Sequence, residues 1–177
     1  MDVRKGLLIL GLFIGMLIIS GTALFAQDDI QKHQSCSYCG MNRGAFAHSR
    51  MLIVYDDGTQ VGTCSIHCAA TDLSIKLDKT PKSIQVGAYN TKKLIDAEQA
   101  AWVIGGGKQG VMSKRAKWAF ESEADAKDFI KANGGSLATF DDAIKAAYED
   151  MYADTKMIRE KRKMKKMQMS APAEHKH

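Results

Sequence analysis

Cys36-Ser37-Tyr38-Cys39-Gly40-Met41 packs two thiols and a thioether into six residues. All three sulfurs are soft donors, and soft donors select soft ions, Cu(I) above all. Gly40 lets the backbone turn tightly between Cys39 and Met41, so that both side chains can reach one point. A second sulfur cluster follows at Cys64-Ser65-Ile66-His67-Cys68. Met112 stands apart, in the polar, glycine-flanked stretch around Gln109-Gly110-Val111. It belongs to no apolar helical stripe, so a ligand role competes evenly with chance. The candidate metal ligands are therefore Cys36, Cys39, Met41, Cys64, His67, Cys68 and Met112, and the ion they suit is Cu(I). A thiolate at Cys39 would anchor it, with Met41 and Met112 as donors that exchange stepwise. His67 either completes the set or is a satisfied structural histidine.

Other chemistries share these residues. Four thiols in an exported chain pair as two disulfides in three ways, and Cys36–Cys39 and Cys64–Cys68 are near enough in sequence to pair locally. Such bridges close very short loops and stabilise little. A C-x-x-C redox motif should open a helix after a strand, and no strand pattern precedes Cys36. Cys36-x2-Cys39 with Cys64-x3-Cys68 also has the spacing of a four-thiolate zinc site, against which Met41 argues because thioether is a poor zinc ligand. Haem attachment needs a histidine where Gly40 stands. No Ser-His-Asp set, acid pair or phosphate loop is evident, and Gly105-Gly106-Gly107 lacks the Gly-Lys-Ser/Thr ending of a P-loop. Catalysis is not expected. The two classes left are a metal-binding chaperone and a thiol oxidoreductase or disulfide- or zinc-stabilised scaffold. Met41 and Met112 separate them, since thiol chemistry needs neither.

The 177 residues suffice for one domain or two small halves on a shared core, without a metal merely to fold. The pI near 9.0 reflects uneven charge. Lys156 to Lys166 carry seven positive charges and one negative, whereas residues 27–155 hold 15 Lys and Arg against 17 Asp and Glu. A nucleic-acid-binding body would carry a basic face, so nucleic acid is not an expected partner. Arg4 and Lys5 precede an uncharged, mostly apolar run from Gly6 to Phe25, with small residues before Gln27. Residues 1–26 read as a signal peptide or an N-terminal anchor, without a lipoprotein cysteine. The body is expected to be periplasmic or otherwise extracytoplasmic.

Several elements must position the sulfurs. Residues 48–55 and 59–64 read as a hairpin about Asp56-Asp57-Gly58. Residues 66–77 read as a helix that places Cys64, His67 and Cys68 where a strand ends and a helix begins, a setting that stabilises thiolates. A strand at 83–89 closes the first unit, residues 27–92. The second, residues 93–155, repeats the order: strands at 101–104 and 114–120, a helix at 124–132 capped by Ser122 and Asp125, a strand at 136–140 and a last helix capped at Thr139 and Asp142. The expected fold is α+β, two β-β-α-β units with antiparallel sheets plus a C-terminal helix. Residues 156–177 form a basic tail with Met157, Met164, Met167, Met169, His175 and His177. That tail reads as a solvated helical extension, an electrostatic membrane tether or a weak Cu(I) collector.

Cys36-x-x-Cys39-Gly40-Met41 ahead of a hairpin resembles the start of the NosL family. The likeness continues through Ile95-Asp96-Ala97, Trp102-Val103-Ile104-Gly105, Gly110-Val111-Met112, Phe120 to Ala126, and Gly134-Gly135, and so spans roughly residues 36–148. The resemblance implies a copper chaperone serving nitrous oxide reductase maturation, with two β-β-α-β units and a Cu(I) site. Its partner would be a copper-accepting enzyme or a membrane assembly complex. The family's Cys-Gly-Met maps onto Cys39, Gly40 and Met41, and its second-half methionine onto Met112. Cys64, His67 and Cys68 are additional to that pattern.

Overall fold

The computed structural model describes residues 28–170, so the expected leader and the terminal His175 and His177 lie outside the described residues. A short helix α1 (Asp28–Lys32) comes first. Then come β1 (Met51–Tyr55), β2 (Gln60–Thr63), α2 (Ile66–Ile75), β3 (Pro81–Gly87) and β4 (Leu94–Asp96). The remainder is β5 (Ala101–Ile104), β6 (Lys117–Phe120), α3 (Glu123–Asn133), β7 (Ser136–Ala138) and the long α4 (Phe140–Ser170).

The fold is α+β, with two antiparallel sheets ordered β2-β1-β3-β4 and β6-β5-β7. In each half the first strand of the β-β-α-β unit lies in the centre and pairs with the two that follow. The repeat expected from element order thus extends to strand order. β4 pairs with β3, so the first sheet continues to Asp96.

Alternation along the strands explains the layers. Met51, Ile53 and Tyr55 share one face of β1, with Ile84 and Val86 beside them on β3. They bury against α2, against Phe140, Ala143 and Ala147 of α4, and against Trp102 and Ala119 of the second sheet. The opposite face of that sheet sends Val103, Trp118 and Phe120 against Ala126 and Phe129 of α3. One core therefore ties the halves together.

Two strands begin later than the sequence suggests. Ser49 and Arg50 donate their backbone N–H groups to the Phe46 carbonyl, at 3.0 and 2.9 Å, so a turn precedes β1. The Lys114 N–H is taken by the Asp154 carboxylate at 2.9 Å, which delays β6 to Lys117. The caps form as expected: the Asp125 N–H meets Ser122 Oγ at 3.2 Å, and Thr139 and Asp142 cap reciprocally. The basic segment continues α4 to Ser170 and is exposed beyond Ile158. Among the described residues no helix is long and apolar enough to cross a membrane.

Candidate metal centre

The Cys36–Met41 stretch is a closed turn. The Cys36 N–H bonds the Met41 carbonyl at 2.8 Å, and the Gly40 N–H returns to the Cys36 carbonyl at 3.0 Å. Gly40 sits at φ +73°, a conformation side chains disfavour, and this lets the chain reverse. Ser37 hangs the turn on β2, its N–H and Oγ both donating to the Gly62 carbonyl at 3.0 and 3.1 Å.

Tyr38 fastens the turn to α2. Its hydroxyl and that of Tyr55 both donate to the buried Asp72 carboxylate, which also pairs with Lys76 at 2.9 Å. Burial, then the bond to Asp72, pushes both phenols above their usual range, so both stay protonated donors. Asp72→Asn removes the charge and one acceptor. Urea unfolding is expected to show a loss of about 2–3 kcal/mol. A loss below about 0.5 kcal/mol would show that the turn does not depend on this anchor.

Cys64 directly follows β2 and Cys68 lies in the first turn of α2, so the strand-to-helix junction carries both as expected. Ser49 Oγ holds the Cys64 carbonyl at 2.9 Å. The two sulfur clusters converge. The Sγ atoms of Cys36, Cys39, Cys64 and Cys68 all lie within 4.8 Å of one another. Cys39 is 3.4 Å from Cys64, and Cys64 is 3.9 Å from Cys68. All four are free thiols, and the 3.4 Å contact joins the two loops, whereas the two local pairings do not. Three of the thiols are buried, while Cys39 is half-exposed.

Hydrogen bonding inside the cluster decides which thiol is acidic. Bonds from Cys39, Cys64 and Cys68 hold Cys36 far below the ordinary thiol range. Cys36 raises its neighbour Cys39, but Cys64 and Cys68 outweigh it and bring Cys39 to about 7. Cys36, together with burial, drives Cys64 and Cys68 up.

The apolar rim of the cluster consists of Met41 and Phe46 from the first half and Val111 and Met112 from the second. Met112 has φ +59°, uncommon for a residue with a side chain and costing about 1–2 kcal/mol. The tight loop around it needs glycine at position 110, since a Cβ there would meet the Ser113 carbonyl at 2.7 Å. His67 does not join the convergent donors. Its Nδ1 faces Asp154 Oδ2 at 3.8 Å, and neither atom has a hydrogen-bond partner among the described residues. Burial lowers its pKa and favours the neutral ring.

The structure adds neighbours that spacing did not reveal. His48 and Phe46 line a cavity of about 380 Å³ with Met41 and Met112. Met157, assigned by sequence to the tail, lines an adjoining one. Arg162 of α4 donates to the Cys39 carbonyl at 3.1 Å. A lone histidine in Ala47-His48-Ser49 carries no periodic signal, and contacts from a distant helix leave none.

The NosL family model matches residues 27–148, which include the seven candidate ligands from Cys36 to Met112. The chain belongs to the NosL family. Among solved structures it is similar to one described as the copper chaperone NosL from Shewanella denitrificans, with 21% identity and a TM-score of 0.50. The match covers 60% of this chain and 87% of that one, and it supports the same fold. No curated protein matches. Within this NosL-family fold, four convergent thiols form a cluster suited to a metal ion.

Proposed function

We propose that this NosL-family protein is an extracytoplasmic Cu(I) chaperone. The observation that carries the reading is the set of four thiols within 4.8 Å, rimmed by Met41 and Met112 at the junction of the two halves. Soft sulfur donors favour Cu(I), which accepts two to four of them without strict geometry. The ion would be cargo, held by the cluster and passed on as thioether and thiolate bonds exchange. The sequence-based picture had one anchoring thiolate, Cys39. The geometry enlarges that to a cluster in which Cys39 is the accessible member. By resemblance, the receiver is the nitrous oxide reductase maturation route, through a copper-accepting enzyme or a membrane assembly complex. The apolar leader or the basic end of α4 would keep the protein near the membrane.

The same four thiols support a second reading, a structural zinc site. Four sulfurs about 2.3 Å from one ion sit about 3.8 Å apart, and the Cys64–Cys68 contact of 3.9 Å suits that figure. Titrating the reduced protein with Cu(I) and Zn(II) against calibrated chelators, with X-ray absorption of the bound ion, decides between them. Tighter Cu(I) binding, with sulfur scatterers, supports the chaperone. Equal or tighter zinc binding overturns it.

Met112→Leu keeps the volume nearly constant and removes a donor. It is expected to weaken Cu(I) about tenfold, about 1.4 kcal/mol, with less than about 1.5 kcal/mol lost in stability. Unchanged affinity would take Met112 out of the site.

A further inference from the structure

We propose that Met157 joins Met41 and Met112 in a second Cu(I) site, built of three thioethers, at the mouth of the cysteine cluster. The proposal rests on the copper reading above and extends it to a path of entry. A cavity of about 210 Å³ is lined by all three methionines together with Gln109, Lys161 and Arg162. Met41 and Met112 also pack against the thiols, so the cavity and the cluster share a wall. Each of the three methionines is half-buried, neither sealed in a core nor free in solvent.

The placement of Met157 is held from two sides. Arg162, little more than one turn further along α4, donates to the Cys39 carbonyl at 3.1 Å and ties that helix to the metal-binding turn. Asp154, just under one turn earlier, accepts the Lys114 N–H at 2.9 Å and ties α4 to the loop that carries Met112. Met112 in turn adopts a left-handed backbone, the sort of local strain that accompanies functional positions. The three methionines come from three separate segments and line one cavity, and polar contacts of Arg162 and Asp154 help to set the position of Met157.

The chemistry sets a direction. Thioethers are neutral, and Lys161 and Arg162 add positive charge to the cavity wall, so a cation there is held loosely. The thiols next to it bind as thiolates and hold it more firmly. Moving inward, Cu(I) breaks thioether bonds as it forms thiolate bonds. Each thiol that binds gives its proton to solvent, copper stays in the +1 state and no electrons are transferred. Met164 lies seven residues, about two turns, beyond Met157 on α4 and is exposed, which continues the line of donors outward.

The test uses the full reduced chain with 13C-labelled methionine methyl groups, titrated with Cu(I) presented by a weak chelator. The first equivalent is expected to load the thiols. Met41 and Met112, which rim the thiols, respond to that equivalent too, and the second is expected to shift the Met157 methyl signal and to move those of Met41 and Met112 again. Met157→Leu is expected to retain the first equivalent with unchanged affinity and to lose the second. With the first equivalent bound, the absence of a second, a second that leaves the Met157 methyl silent, or a second that persists in Met157→Leu each overturns this proposal alone. Failure of the first equivalent to bind overturns the copper reading, and this proposal with it.

Discussion

Asp29→Ala is expected to destabilise the protein by about 3–5 kcal/mol, a large share of the roughly 5–15 kcal/mol that holds a domain together. Asp29 is the carboxylate between two fully buried arginines. Its Oδ2 accepts from Arg43 Nη2 at 2.8 Å and from Arg50 Nε at 2.9 Å, and its Oδ1 accepts from Arg50 Nη2 at 2.9 Å. Arg43 spends its other donors on backbone carbonyls of α1, β1 and β2, among them Met51 at 3.0 Å and Thr63 at 3.1 Å. Losing the carboxylate removes the charge that Arg43 and Arg50 share, which costs more than one contact. Arg43 lies two residues after Met41, so the loss is expected to loosen the base of the metal-binding turn as well.

The same group sets a pH dependence. Burial raises the Asp29 carboxyl, but Arg50 and Arg43 more than offset this and hold it below the usual value of 3.8. A depressed folded pKa means that the stabilisation is present above the unfolded pKa and fades as pH falls through the folded one. Urea midpoints should therefore be steady near neutrality and fall below about pH 4. In Asp29→Ala that acid-sensitive portion should be missing. A cost below about 1 kcal/mol at pH 7 would show that both guanidiniums find water once Asp29 is gone.

The difference between what the chain announces and what it conceals follows the range of each interaction. Hydrophobic alternation, the Asp57-Gly58 hairpin and the Ser122 and Thr139 caps are local, and each element they imply is present in the fold. Cys36-x2-Cys39-Gly40-Met41 was legible for the same reason, because the glycine turn that closes it needs only its own residues. Whether Cys64 and Cys68 form a second site or join the first was not legible, because their meeting depends on how β2 is set against the turn. No local pattern marks Arg43 and Arg50 as buried, and the Asp29 carboxylate and a ring of carbonyls make their burial tolerable. The basic segment reads in the sequence as a solvated extension, a membrane tether or a weak Cu(I) collector. Its beginning packs over the site through Arg162, a contact 123 residues apart in sequence.

Cys64→Ser is expected to lower Cu(I) affinity by at least about 100-fold, about 2.7 kcal/mol. Cys64 is the fully buried centre of the cluster, 3.4 Å from Cys39 and 3.9 Å from Cys68. Serine nearly matches its size but offers a hard oxygen, which a soft ion does not take. The fold should survive, because one buried hydroxyl costs about 1–3 kcal/mol and Ser65 Oγ lies 3.9 Å away as a neighbour. Cys39→Ser should behave differently. Cys39 is the half-exposed thiol on the side of Met41, so its loss should slow transfer to an acceptor more than it weakens binding at equilibrium. Oxidation offers a third comparison, since any disulfide within the cluster withdraws two donors at once. Protein carrying one such disulfide should bind Cu(I) more weakly, and reductant should restore binding fully. Competition against a calibrated Cu(I) chelator measures all three. If Cys64→Ser bound Cu(I) as tightly as the unaltered chain, the ion would be held by Cys36, Cys39 and the methionines alone. Cys64 and Cys68 would then serve only as buried apolar residues beneath the turn.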